Sequence, residues 1–371
     1  MLRLSDGSKA AATPAQFEAL ARWGSHPADV TAPVKWVLVS TLVSTAGNGR
    51  QTLTLDAAGP GPAPGVVISV DFPTSETLLV DTGAALFELN TDGAFNILNQ
   101  VTVEGQDLLA PLAAADAIAY APAGRDDIVA GGSPDFTPRS TVVTVERMGP
   151  LYVVVKVEGS IVGDAGRALL DFTARLHFAA GSANVRVDFT VENNHAVIPD
   201  DAGQPTNAHD QGAVNSVYIG SLALNLQLAD RGGALHVLAE QDVHVADASG
   251  AIRLYQDSSG LDTWDAYVGE VGWPGEEASA APRLQSYCAT RGYSIDGPGL
   301  PAALTGNHSR GWMTVYREGA GGASGDGGST GFLAELSEGH RSVGGWNGVR
   351  GPVPERHALP SQFPRRRGED A

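Results

Sequence analysis

The chain has 371 residues, of which 43% are hydrophobic and 18% charged, with a formal net charge of −18 and a single cysteine. That length allows two or three domains with substantial cores, and no apolar run approaches the roughly 20 residues that a membrane-spanning helix needs, so a membrane partner is not expected. The acid excess sets nucleic acid aside, because phosphate binding needs a basic face, and the lone Cys288 excludes an intrachain disulfide or a thiolate metal cluster.

The opening MLRLSDGSKAAATPAQ has no long apolar segment after its basic residue, so no secretory signal is visible. The expected location is the cytoplasm, or the cell exterior for a secreted protein whose true start lies upstream. Period-2 alternation predicts strands in VKWVLVSTLV (34–43), QTLTL (51–55), VVISVDF (66–72) and AALFELN (84–90), separated by turn-rich pieces such as GPGPAPG. They suggest a small N-terminal β-barrel over residues 1–92. After FNILNQVTVEGQDLL (95–109), an Ala-rich connection reaches about Arg139, and a larger antiparallel β-sandwich is expected over 93–317.

The clearest stretch of that second unit runs from TVVTVERMGP to VRVDFTVEN, where MGP, GDAG and AAGS read as turns joining four strands. Leu151, Val153, Val155 and Val157 share a face, as do Phe172, Ala174, Leu176 and Phe178, and Val185, Val187, Phe189 and Val191. The opposite face carries Tyr152, Lys156, Glu158, Arg175, His177, Arg186, Asp188 and Glu192. One face is core, and the other is free for different work.

Strand patterning continues through VNSVYIGSLALNLQL (214–228), ALHVLAEQDVHVA, AIRLYQ, LQSYCATRGYSI and RGWMTVYR. Cys288 within this run reads as a small buried hydrophobe rather than a catalytic thiol. After Arg317 the pattern stops at EGAGGASGDGGSTG, and residues 318–371 are expected to be an irregular, poorly ordered tail in which FLAELSE makes a helical turn or two. From Arg341 onward six arginines face three acidic residues, so this tail differs in kind from the acidic body. The chain as a whole reads as all-β.

PAQFEALARW (14–23) with VKWVLV, FNILNQVTVEGQDLL, ERMGPLYVVVKVEG with RLHFAAGSANVRVDFTVEN, and LYQDSSGLDTW followed by RGYSIDGPG and SRGWMTV together resemble the YetA-like exo-rhamnogalacturonan lyase family, in the family's order. The resemblance spans about residues 2–316. It implies a RIFT-type N-terminal barrel, a central β-sandwich and a C-terminal α/α toroid, with β-elimination on acidic pectic polysaccharide as the activity. The toroid has no counterpart after Arg317, so residues 318–371 read as a frameshift or truncation product and a helical domain as a missing partner.

Sugars present apolar C–H faces rimmed by hydroxyls, so a site for them needs an aromatic platform beside amides and acceptors. Tyr255, Gln256, Asp257, Ser258 and Trp264 supply that mixture in one loop; the plainer alternative is a turn whose Asp and Ser cap their own backbone, anchored in the core by Trp264. Lyase chemistry adds a cation for the uronate, a base and an acid. ENNHAVIPDD with His195, NAHDQG with His209, and GNHSRGW with His308 and Arg310 offer such groups, against a solvated surface role for His177, His195 and His209.

The substrate-binding candidates are therefore Tyr255, Gln256, Asp257, Ser258, Trp264, His308, Arg310 and His209, while the base and acid stay unassigned. No cofactor is required. Ca2+ could be held by the oxygen donors of IPDDAG and SSGLD, yet no run has the spacing of a twelve-residue calcium loop, and no metal residue is assigned. Phosphate-cradling Gly loops and His-Glu-x-x-His helices are missing from the sequence. Three functions compete: a lyase acting on an acidic polysaccharide or oligosaccharide, a carbohydrate-binding or structural fragment without turnover, and an interaction module that takes no sugar.

Overall fold

A computed structural model describes residues 3–6, 12–44, 50–57, 59–111, 118–122, 137–163, 166, 168–193, 219–229, 235–239, 243–245, 252–256, 293–297, 304–306, 312–317 and 330–336. Among them the chain is all-β, as its two-residue periodicity predicts, and it has no helix long and apolar enough to cross a membrane.

The first strands are β1 Arg3–Asp6, β2 Ala12–Thr13, β3 Ala15–Arg22, β4 Val34–Thr41 and β5 Leu53–Asp56. β1 lies between β2 and β5 in a three-stranded antiparallel sheet, while β3 and β4 pair with each other as a separate hairpin. Next come β6 Ser69–Thr74, β7 Thr77–Asp81, β8 Leu86–Asn90, β9 Gly93–Ala94, β10 Gln100–Val103 and β11 Gln106–Asp107, of which all but β9 form a sheet ordered β11-β10-β8-β7-β6. Glu104 and Gly105 both have positive φ, 50° and 75°, which is what a two-residue hairpin turn between β10 and β11 requires.

β12 Ile118–Pro122 precedes the long meander β13 Thr137–Arg147, β14 Tyr152–Val162, β15 Ala168–Ala179 and β16 Asn184–Glu192, the four strands expected from MGP, GDAG and AAGS. β17 Ile219–Leu224 returns to pair with β12. The remaining strands are β18 Leu235–Ala239, β19 Val243–Val245, β20 Arg253–Gln256, β21 Tyr293–Asp296, β22 Leu304–Gly306, β23 Trp312–Arg317 and β24 Thr330–Leu336. The meander is the centre of a nine-stranded sheet ordered β19-β18-β23-β24-β16-β15-β14-β13-β9, and β20, β21 and β22 form a small sheet of their own.

One core joins the five-stranded sheet to the meander. Leu78, Val80, Phe87, Leu89 and Val101 from the first are buried with Val153, Val155, Val157, Phe172, Leu176, Phe178 and Val187 from the second. Their rings interlock: Phe87 meets Phe178 at 4.9 Å between centroids, Phe95 stacks on Phe172 at 5.1 Å, and Phe172 on Phe189 at 5.5 Å. The sandwich layer thus begins at Ser69, within the span read from sequence as the N-terminal unit, because β6, β7 and β8 bury their apolar faces against the meander rather than against β1–β5.

Two further features differ from expectation. Thr330–Leu336, in the stretch expected to be irregular with a helical turn, is the strand β24, parallel to β16 and antiparallel to β23. Backbone N–H and C=O groups on both flanking strands need partners, and an inserted strand supplies them where a single helical turn would not. Val154 lies on the polar side of β14 by alternation, yet it is only 1% exposed.

Gly159 marks the tightest packing between β13 and β14: a Cβ there would overlap the Arg139 carbonyl and the Phe172 ring. We expect Gly159→Ala to lower stability by about 1–3 kcal/mol through overpacking, and Phe172→Ala to lower it by about 3–5 kcal/mol through the cavity it leaves. Urea melts of the two variants beside the parent check both values.

Candidate functional site

With one face of the meander committed to the core, its alternate residues form a half-buried polar surface. Tyr152, Lys156, Glu158 and Ser160 on β14, Asp171, Arg175 and His177 on β15, and Arg186 and Asp188 on β16 all fall there, as the alternation predicts. Register then decides which of them meet. His177 stands opposite Val154 on one side and Arg186 on the other, which makes Tyr152 and Asp188 its diagonal neighbours across two strands.

Those diagonals close into a chain of polar contacts. The Tyr152 hydroxyl lies 2.6 Å from His177 Nδ1, and His177 Nε2 lies 2.8 Å from Asp188 Oδ2. Asp188 also accepts from Arg186, whose Nε reaches Oδ1 at 3.1 Å and whose Nη2 reaches Oδ2 at 2.8 Å. An ionised carboxylate can only accept, so the imidazole hydrogen sits on Nε2; in the neutral ring Nδ1 is then the acceptor and the Tyr152 hydroxyl donates to it. The His177 side chain is 10% exposed, whereas Arg186 is 42% exposed, so the chain runs from a shielded ring to an open guanidinium.

The start of β14 is held from outside the sheet. Gln16 on β3 accepts from the Leu151 and Tyr152 amides at 3.2 and 3.0 Å and donates to the Tyr152 carbonyl at 3.1 Å. A Cβ at position 149 would overlap the Gln16 amide group, so Gly149 is what lets the hairpin come this close. Glu18, two residues along β3, lies 3.7 Å from Arg147.

Beside this chain are two ion pairs. Lys156 Nζ sits 2.9 Å from Glu158, and Arg175 forks onto Glu146 with contacts of 2.8 and 3.0 Å. The Arg175 hydrogen bonds hold the Glu146 carboxyl below its ordinary value of 4.5 against a smaller opposing effect of burial, and the same bonds raise the guanidinium. The face therefore offers a phenol linked to an imidazole and a carboxylate, with three cations around it.

Of the residues singled out from sequence, Tyr255 and Gln256 are described. They end β20 in the small sheet, opposite Ser294 and Tyr293, with Tyr255 4% exposed and the Arg253 guanidinium 5.8 Å from its ring centroid. Their use to a ligand depends on the loop that follows, and Asp257, Ser258 and Trp264 lie outside the described residues, as do His209, His308 and Arg310. Sequence reasoning placed Tyr152, His177, Arg186 and Asp188 on one face without selecting them. The signal that could have done so is diagonal register, which needs the two turn lengths between the strands. Among the described residues no group of three or more His, Cys, Asp or Glu could hold a metal ion. A hollow of about 310 Å3 lined by Pro14, Leu42, Val66, Leu151 and Ala180 has only apolar side chains around it, a poor setting for an acidic ligand.

Residues 69–197 match the family model described as PcRGLX-like protein central beta sandwich domain. The matched span opens with β6 and contains both faces of the shared core together with the whole Tyr152–His177–Asp188 chain. The chain thus carries a rhamnogalacturonan lyase-like central β-sandwich, in agreement with the resemblance read from its motifs. No curated protein matches the chain.

Because Glu146 is held below its ordinary value in the folded state, the pair with Arg175 stabilises the protein above pH 4.5 and is lost as pH falls through the depressed value. We expect Glu146→Gln to cost about 0.5 kcal/mol at neutral pH, the scale of a partly exposed pair, and to cost progressively less below about pH 4. Denaturant midpoints of parent and variant at a series of pH values read the difference; a gap that stays constant in acid contradicts it.

Proposed function

We propose that this chain is the β-domain portion of a carbohydrate-active protein that acts by β-elimination on acidic pectic polysaccharide of the rhamnogalacturonan class. The observation that carries the reading is the Tyr152–His177–Asp188 chain on the half-buried face of the matched sandwich. β-Elimination removes the proton on the carbon next to the uronate carboxylate, forms a carbon–carbon double bond with that electron pair, and expels the glycosidic oxygen, which takes up a proton. A phenol that can pass its proton to an imidazole is suited to the first step. Tyr152 would be the group that meets the sugar, His177 would receive the phenolic proton through Nδ1, and Asp188 would hold the ring and stabilise its charged form. Arg186, Lys156 and Arg175 surround this point and suit the neutralisation of a carboxylate.

The second reading is a carbohydrate-binding portion without turnover of its own, favoured by the fact that the family match covers the sandwich and not the rest of the chain. Both readings place an acidic glycan on the polar face, and the N-terminal strands would be the RIFT-type barrel that the resemblance implies.

Incubating the chain with rhamnogalacturonan and following the ultraviolet absorbance of the new double bond distinguishes them. Turnover is expected to fall by about 10²–10⁴ in kcat for Tyr152→Phe, with KM little changed, because that variant removes a proton-transfer group and leaves the ring. Binding without absorbance selects the second reading. A chain that neither binds acidic glycans nor produces the chromophore overturns both.

A further inference from the structure

The tip of the β3–β4 hairpin is built as carefully as the polar face of the sandwich, and no core explains it. Arg22 spans the connection, donating to the Pro27 carbonyl at 2.7 Å and the Ala32 carbonyl at 2.6 Å. Asp29 gathers the same loop, accepting from the Ser25 hydroxyl at 2.7 Å and from the Thr31 amide and hydroxyl at 3.0 and 2.6 Å. These bonds hold its carboxyl down at about 2. Trp23 closes the hairpin by donating its amide to the Pro33 carbonyl at 3.0 Å, and Gly24, at φ +67°, turns the chain away directly after it.

What this frame displays is an indole. Trp23 is 62% exposed, with Lys35 Nζ 4.7 Å above its ring centroid. Among the described residues Lys35 forms no ion pair, so its charge is available, and it is one of only three lysines in a chain of net charge −18. Arg22 spends its hydrogen bonds on neutral carbonyls, leaving a second positive charge at the tip. A large exposed aromatic side chain is uncommon, and burying it elsewhere would be favourable; one held out at the end of a loop tied by the Arg22 and Asp29 hydrogen bonds is positioned for a ligand.

We infer that Trp23 and Lys35 form a binding platform for an acidic sugar unit, the ammonium moving from above the indole onto the sugar's carboxylate and the ring face it leaves taking the C–H face. The inference rests on the proposed glycan function and adds to it a second contact, on the hairpin that Gln16 fixes to the edge of the catalytic face. Charge selects this occupant: an apolar partner would gain nothing from Lys35, and a polyanion as large as nucleic acid would meet the acidic body of the chain. Trp36, 64% exposed, neighbours Lys35 in sequence and so stands on the opposite side of β4, toward Gln16 and Glu18. It provides an internal control.

The test is calorimetric titration of the full chain with a rhamnogalacturonan oligosaccharide and with the same oligosaccharide after reduction of its carboxyl groups to alcohols. Trp23→Ala is expected to weaken binding of the acidic form by about tenfold or more, and Lys35→Gln to abolish the preference for the acidic over the reduced form. Trp36→Ala is expected to change neither. All three side chains are exposed, and a far-ultraviolet spectrum with a urea midpoint equal to the parent's confirms that each variant is folded. Binding by the parent that survives Trp23→Ala overturns this inference and leaves the proposed function standing. Equal losses from Trp23→Ala and Trp36→Ala mean general adhesion by an apolar hairpin, and also overturn it. A parent that binds neither oligosaccharide sinks the proposed function itself.

Discussion

Everything described above depends on the interlocking of two sheets through a layer of phenylalanine and branched aliphatic side chains. Phe172 sits at its centre, stacked between Phe95 and Phe189, with Phe87 against Phe178 beside it. Side chains in a strand alternate between faces, so committing Val153, Val155, Val157, Leu176 and Val187 to this layer leaves no choice for their neighbours. A slip of one residue would exchange the two sets. The core therefore does more than stabilise the fold: it fixes, to within one residue, which polar groups stand together on the outer side of the meander.

That outer side is where chemistry becomes conceivable. Tyr152, His177 and Asp188 come from three adjacent strands, and their contacts are diagonal ones that exist only while both registers hold. Rigid sheet is a good support for such a chain, because each side chain is oriented by packed neighbours rather than by a loop. Gln16 adds a tie from a different part of the sequence, so the backbone at Tyr152 is held both by β15 and by the hairpin. The hairpin in turn carries Trp23 and Lys35 at its far end. On the proposed function, the hairpin tip would add an aromatic and a cationic contact remote from the proton-exchanging groups of the sheet, as enzymes acting on extended substrates use remote binding energy.

Charge distribution fits the same picture. A chain of net charge −18 repels acidic polymers in general, so any acidic ligand must be met by local positive groups. Lys156, Arg175 and Arg186 lie on the sandwich face, and Arg22 with Lys35 at the hairpin tip. Each of the face cations is paired with a carboxylate, which keeps the surface near neutrality; on the proposed function a uronate would compete for the guanidinium or ammonium. Exchange of one carboxylate for another involves less desolvation than creation of a new buried pair.

The sequence by itself determined the all-β class, the four-stranded meander, its turns and its two faces, since period-2 alternation and Gly-, Pro- and Asn-rich turns are local properties that need no partner to be read. It also carried the resemblance that the match over residues 69–197 supports. Tertiary structure decided the rest. Alternation says that β6, β7 and β8 have an apolar face but not which sheet will cover it, and the answer, the meander, moved the start of the sandwich to Ser69. A Gly-, Ser- and Arg-rich stretch gives no sign that Thr330–Leu336 will fill a place between β16 and β23, because the demand comes from the unpaired backbone of those strands. Likewise a histidine on a polar strand face looks solvated until register sets a tyrosine and an aspartate on its two nitrogens. Contacts across strands depend on relative registers, and register is a property of the folded pair rather than of either segment.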